Sequence, residues 1–301
     1  MSLIFIHNPS SGSSKYAESI RAIRRSLGDG HSWIETSGPR DAVRLAREAA
    51  EGGAKTVVAV GGDGTVHEVV NGLMSVSQDE RPALGILPVG TGNDFAFAVG
   101  PQKSLWDGVD RLLKGESRVV DIGSIEDERG RRWYWANSCG IGLNAKVTVR
   151  SLKYRSLKGN AKYVAASVVT LLRDPHAAEM EIALDDDRRI SEELTLLTLG
   201  NGPREGGEFY MTPNAKIDDG LFDMLRVKPI SRLGLLQLMP KAMKGTHLRS
   251  PNVSIEQFST LHLKSPKPLV IHTDGEIFAE EGDDVREISV GVHPGVIRVI
   301  S

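Results

Sequence analysis

VVAVGGDGTVHEVVNGL, residues 57–73, decides how the chain is read. Four apolar residues run straight into GGDGT at Gly61–Thr65. A helical stripe of Val66, Val69, Val70 and Leu73 follows at once. That order is a βα unit of a parallel sheet. Glycine weakens strands and helices alike, so three of them around one carboxylate need a reason. Thr65 and Glu68 have capping-box spacing, which starts the helix at Thr65 and points its first N–H groups back at the turn. Two readings stay open on these residues alone: a plain tight turn, or a phosphate seat at a helix N-terminus. Asp63 would repel phosphate unless a cation lay between them. Mg²⁺, held by one or two carboxylates plus substrate phosphates, is the usual such cation. The stretch lacks both the Gly-Lys-Ser/Thr ending of a Walker A loop and the GxGxxG spacing.

Working outward, strand and helix alternate. Leu3–Ile6 reads as a buried strand, followed by the turn-rich NPSSGSS. Tyr16, Ile20, Ile23 and Leu27 recur at helical spacing. Trp33 and Ile34 mark a short strand, and Ala42, Val43, Leu45, Ala46 and Ala49 a helix. Leu84–Leu87 is a further strand. Two more polar, glycine-bearing turns follow strands of this set: NPSSG at 8–12 and GTGND at 90–94. Ligands of open α/β sheets bind beyond the carboxyl ends of the strands, so three such turns on one edge favour the phosphate reading.

From Ser117 the pattern becomes strands and hairpins: Val119–Ile122, Trp133–Ala136, Met180–Leu184, Leu194–Leu199, Leu221–Val227, Val253–Ile255, Leu261–Leu263 and Leu269–His272. DDDRR at 185–189 reads as a hairpin turn, and helices interrupt at Ala161–Leu172 and Leu233–Met243. The fold class expected is α/β plus β: a parallel-sheet α/β nucleotide-binding domain, then an antiparallel β-sandwich-like domain.

Composition bounds the function. The chain has 301 residues, 40% apolar and 25% charged, with a formal net charge of −2. It has no basic field for nucleic acid. The one cysteine, Cys139 in WANSCGIGL, excludes an internal disulfide, fits a reducing cytoplasm and reads as a small core residue. MSLIFIHNP lacks the charged start and long apolar core of a signal peptide, and no apolar run reaches the roughly 20 residues of a membrane span.

Taken together, NPSSG at 8–12, GGDGTVHEVVNGL at 61–73, PVGTGNDFA at 88–96, NAKIDDGLFD at 214–223 and TDGE at 273–276 resemble the catalytic domain of the diacylglycerol kinase family, the soluble bacterial lipid kinases above all. GGDGT alone is shared with NAD kinases and 6-phosphofructokinases; GGDGT with GTGNDFA and a distal DGE is far more specific. The resemblance implies an ATP-binding domain over 1–122 and 290–301, to which the last strands return, and a lipid-substrate domain over 123–289. It implies transfer of the ATP γ-phosphate to a lipid hydroxyl, diacylglycerol becoming phosphatidic acid, with Mg²⁺ as cofactor. By the same resemblance Asn8, Pro9, Ser10, Ser11, Gly12, Thr36, Gly62, Asp63, Gly64, Thr65, Val66, His67, Glu68 and Thr91 line the ATP site, with Asn93 and Asp94 close by. Asp63 would neutralise charge through Mg²⁺, and Glu276 would be the general base for the lipid hydroxyl. The Asp219 carboxylate and the carbonyls of Lys216 and Leu221 would hold a structural Mg²⁺. His67 departs from the family, where asparagine is commoner. From the residues alone, TDGE and the Asp219-Gly220 pair read equally as hairpin turns.

Arg150, Lys153, Arg155, Lys158 and Lys162 cluster ahead of and into one helix, and Lys15, Arg21, Arg24 and Arg25 lie near another. These suggest peripheral contact with an anionic membrane at its inner, cytoplasmic face, with a solvated helix face as the alternative. A homodimer is compatible with the sequence, which does not specify an oligomeric state. Two rivals stand: an NAD kinase, and a nucleotide-binding regulatory protein without catalysis. No GSTAY-like segment of the NAD kinase kind occurs.

Overall fold

The computed structural model describes residues 2–12, 16–154, 161–173, 177–185 and 188–301, with side chains at 161–163 left undescribed. Two compact units divide the chain: Met1–Asp121 with Gly295–Ser301, and Ile122–Pro294.

The first unit contains β1 (Leu3–His7), α1 (Ala17–Leu27), β2 (Ser32–Glu35), α2 (Asp41–Glu51), β3 (Thr56–Gly61), α3 (Asp63–Met74), β4 (Ala83–Pro88), α4 (Asp94–Val99), α5 (Leu105–Lys114) and the start of β5 (Ser117–Asp127). Its strands lie in the order β2-β1-β3-β4, all parallel. Every residue of TVVAVG in β3 is buried, as a central parallel strand covered on both faces requires. α2 and α3 pack as neighbours, and one core of this unit gathers Phe5, Ile23, Val58, Val60, Leu87 and Val109. The order of neighbours puts the ends of β1, β3 and β4, and hence the three polar turns, side by side on one sheet edge.

The second unit continues with β6 (Arg132–Trp135), β7 (Ser138–Gly142), α6 (Leu143–Ser151), α7 (Ala161–Arg173), β8 (Ala178–Leu184), β9 (Arg188–Leu194), β10 (Leu196–Gly200), β11 (Phe222–Val227), α8 (Arg232–Met243), β12 (Val253–Phe258), β13 (Thr260–Lys264), β14 (Ile271–Thr273), β15 (Glu276–Ala279) and β16 (Glu287–Ile300). A six-stranded sheet runs β12-β11-β10-β7-β14-β15 with antiparallel pairing. One face of it, through Cys139, Ile141, Leu197, Leu199, Phe222 and Ile271, shares a core with Met180, Ile182, Leu261, Leu263 and Ile288 of the antiparallel strands β8, β13 and β16. Its other face packs Leu225, Val227 and Val253 on Leu143, Leu171 and Leu235 of the three helices. β16 ends in the first unit, where Val299 pairs in parallel with Leu84 of β4.

The fold is the α/β unit plus antiparallel β unit expected. Local readings needed correction. The run Leu194–Leu199 is two strands that part at Thr195. Helices α4 and α6 were not legible, because α4 has only six residues and α6 has a weak apolar stripe, whereas α5 carries a strong stripe of Leu105, Val109 and Leu112 between Ser104 and Gly115 that the sequence reading passed over. Part of the expected 185–189 turn lies outside the described residues.

Candidate active site

The turn after β3 does not use the capping box. The helix begins at Asp63, with Gly62 as its N-cap and no side-chain cap bond. Thr65 is 97% buried; its Oγ1 lies 3.3 Å from both Asn8 Nδ2 and Ser11 Oγ. Glu68 points the other way. Its carboxylate accepts the N–H groups of Arg40 at 2.9 Å and Ala42 at 3.1 Å, and so caps α2 rather than its own helix. Spacing within one helix could not reveal an acceptor 26 residues from its donor.

The turn after β1 is set by Asn8. Its N–H donates to the Val60 carbonyl, its Oδ1 accepts from Ser10 N–H at 2.9 Å, and its carbonyl accepts from Ser11 N–H. Such an Asx turn leaves Pro9, Ser10 and Gly12 exposed. Thr36 N–H donates to the His7 carbonyl at 2.8 Å, holding Thr36 at the end of β2.

The turn after β4 meets the turn after β3 backbone to backbone. A Cβ on Gly90 would lie 2.4 Å from Gly62 Cα, so the approach needs glycine on both sides. Asp63 ties the turns together: Oδ2 accepts Asn93 N–H at 2.7 Å and Oδ1 accepts Asp94 N–H at 2.6 Å, at the start of α4. Asn93 takes the left-handed conformation with φ 52° and also binds Gly90 through its side chain. Thr91 stays exposed.

The structure therefore brings Asn8, Ser11, Gly62, Asp63, Thr65, Asn93 and Asp94 together. It turns the Glu68 side chain away from that cluster, to the start of α2. Val66 and His67 are buried, with His67 beside Asn71. Gly64 contributes backbone in the first turn of α3.

The remaining candidates belong to the second unit. Glu276 is exposed at the first position of β15 and pairs with Thr273 across the Asp274–Gly275 turn. Asp274, which sequence reasoning passed over, accepts backbone N–H groups from Ala136 at 2.9 Å, Asn137 at 2.8 Å and Ser138 at 3.1 Å. Its partners are about 137 residues upstream, where no local pattern points. In the 214–223 loop, Asp219 is exposed and its Oδ1 accepts Leu221 N–H. Burial raises the Asp223 carboxyl above its usual range, and the Asp219 charge adds to the rise. Two carboxylates repelling each other suit a hard cation. At Asp63 the carboxylate offers hard oxygen atoms beside the first turn of α3, the kind of donor Mg²⁺ takes. Among the described residues no group of three or more His, Cys, Asp or Glu could hold a metal, so a cation here would rely on carbonyls, phosphates and water.

The same two-part architecture recurs in solved structures. A solved NAD kinase from Archaeoglobus fulgidus with ATP aligns over 100% of this chain and 94% of its own, with TM-score 0.55 and 11% identity. A diacylglycerol kinase structure from Bacillus anthracis aligns over 99% and 96%, with TM-score 0.73 and 20% identity. Both likenesses are of fold. The diacylglycerol kinase catalytic domain matches residues 2–125, and the YegS C-terminal NAD kinase beta sandwich-like domain matches residues 137–301. A protein named "Probable lipid kinase YegS-like" from Chromohalobacter salexigens is 35% identical over 78% of this chain and 74% of its own. The diacylglycerol kinase of Mycobacterium tuberculosis is 32% identical over 89% and 86%. The chain belongs to the diacylglycerol kinase family and is a lipid kinase of that kind.

Proposed function

We propose that the protein phosphorylates diacylglycerol to phosphatidic acid, with ATP seated on the three turns of the first unit. The observation that carries the reading is the fusion of those turns through Asp63, Thr65 and the Gly62–Gly90 approach. Phosphoryl transfer asks a protein mainly to position groups and neutralise charge. Backbone N–H groups at the start of α3, with Asn8, Ser10, Ser11, Gly12, Thr36 and Thr91 around them, would bind the nucleotide. Asp63 would hold Mg²⁺, which supplies charge neutralisation at the phosphates. Glu276 would accept the proton of the lipid hydroxyl; its exposure leaves the carboxylate open to a substrate. The 216–221 loop would hold a second, structural cation through Asp219 and the Lys216 and Leu221 carbonyls.

The lipid is to be drawn from an anionic membrane surface. Leu152, Leu172 and Leu233 are exposed apolar residues at α6, α7 and α8, which pack in succession, and Lys153 is exposed beside Leu152. Lys15, Arg155, Lys158 and the Lys162 side chain lie outside the described residues. Among the described residues no helix is long and apolar enough to cross a membrane.

The test is labelled ATP with separate diacylglycerol, sphingosine and NAD. Label in phosphatidic acid is the expected result. Label in another lipid moves the acceptor, label in NAD moves the enzyme class, and binding without transfer points to the regulatory rival.

A further inference from the structure

The turn that presents Glu276 is under external control. Only Asp274 and Gly275 separate the paired residues Thr273 and Glu276, and both have positive φ, 53° and 88°. That is a type I′ hairpin, which aspartate enters less readily than glycine. Besides the three N–H groups on the Asp274 carboxylate, Asp274 N–H donates to the Ser138 carbonyl at 2.8 Å, and Gly275 N–H donates to His272 Nδ1 at 3.3 Å. A backbone N–H can only donate, so Nδ1 carries the lone pair and the neutral ring has its proton on Nε2.

Nε2 lies 2.5 Å from Glu205 Oε1. The contact sets the Glu205 carboxylate against the ring nitrogen, so Glu205 acts on it through its charge. A carboxylate at Nε2 favours the proton there and keeps Nδ1 an acceptor. Both partners are constrained. The His272 side chain is 99% buried, and its cross-strand partner Gly140 leaves the room: a Cβ there would lie 2.2 Å from His272 Nε2 and from Asn144 Nδ2. Glu205 is fixed by two backbone bonds with Phe209.

We infer that Glu205 and His272 are positioning residues for Glu276. Glu205 selects the ring tautomer, the ring holds Gly275, and the turn sets the direction of the next residue's carboxylate. This rests on the reading of Glu276 as the base. A displacement of about 1 Å in a reacting group can cost up to about a hundredfold in rate.

Two isosteres separate the contacts. His272→Asn keeps an acceptor where Nδ1 stands. His272→Gln keeps a donor where Nε2 stands and loses that acceptor. On the full-length protein with ATP and diacylglycerol, His272→Gln is expected to lower kcat about tenfold with KM for ATP unchanged, on the positioning argument above. His272→Asn should recover most of the loss. In ¹⁵N spectra, wild-type His272 should show protonated Nε2 and bare Nδ1, with the Gly275 amide slow to exchange. Should the His272 variants not fold, Glu205→Gln carries the test: it removes the charge at nearly constant size and should lower kcat several-fold. Equal kcat for the Asn and Gln variants, or a protonated Nδ1 in the wild type, overturns the inference. Glu276→Gln is measured beside them. Near-normal turnover in it removes the base assignment and this inference together. An inactive Glu276→Gln beside a fully active His272→Gln removes the positioning role alone.

Discussion

Substitution of Asp63 separates the structural task of its carboxylate from the catalytic one proposed for it. The structural task is visible: it accepts the N–H groups of Asn93 and Asp94 at 2.7 and 2.6 Å. Asp63→Ala deprives both of that acceptor. Hydrogen bonds to a charged group contribute about 1.5–3 kcal/mol each, but losses of helix caps cluster near about 1 kcal/mol. Because the two bonds share one carboxylate, about 2–3 kcal/mol is the expected cost. Asp63→Asn keeps one acceptor oxygen and gives up the charge, for about 1 kcal/mol. Domains are stable by about 5–15 kcal/mol, so both variants stay folded at room temperature. The proposed catalytic task predicts the larger effect. Loss of a group that stabilises developing charge costs about 10²–10³ in kcat. Asp63→Asn is therefore the informative variant, with small instability and large loss of turnover. The assay pairs denaturant unfolding, followed by tryptophan fluorescence, with transfer of label from ATP to diacylglycerol. An Asp63→Asn protein with near-normal turnover would refute the cation role. An Asp63→Ala protein with an unchanged unfolding midpoint would refute the tie between the turns.

Gly90→Ala should raise KM for ATP and destabilise by about 1–3 kcal/mol, since the new Cβ meets Gly62 backbone at 2.4 Å; unchanged nucleotide affinity would show that the turns need not touch. Glu68→Ala should lose about 1–2 kcal/mol in thermal unfolding through the α2 cap while KM for ATP holds, and a raised KM with unchanged stability would instead place Glu68 at the nucleotide. Burial lowers the proton affinity of His7 and His247 below the ordinary value of 6.5. The unfolded chain then binds the more protons, so stability should fall as pH drops below about 6.5; His247→Gln should flatten that slope in melting curves taken between neutral and mildly acidic buffer. The Cys139 thiol is pushed well up by burial, with the Asp274 and Glu205 charges adding; it should ignore thiol reagents in the native protein and react after denaturation.

Much of the first unit was legible from residues 57–73 outward, because each βα unit there is built from neighbours in sequence. A fully apolar strand, a glycine turn and a 3.6-residue stripe declare themselves within about 17 residues. The three polar turns could be located for the same reason. What the sequence could not disclose is where their side chains go. Glu68 has the spacing of a cap for its own helix and caps α2 instead. Asp63 reaches across about 30 residues to start α4, a helix too short to announce itself.

In the second unit the gap is wider. TDGE shows a hairpin by its Asp-Gly pair, yet the groups that hold it lie at 136–138 and 205, far upstream. Antiparallel sheets join strands distant in sequence, so a carboxylate's partners there are decided by pairing and not by spacing. The sequence by itself determined the strands of the first unit, part of the strand pattern of the second, most of the amphipathic helices, the turn positions and the family. Only the tertiary structure decided which acceptor meets which donor, because hydrogen bonds depend on proximity in space and the chain fixes order along a line.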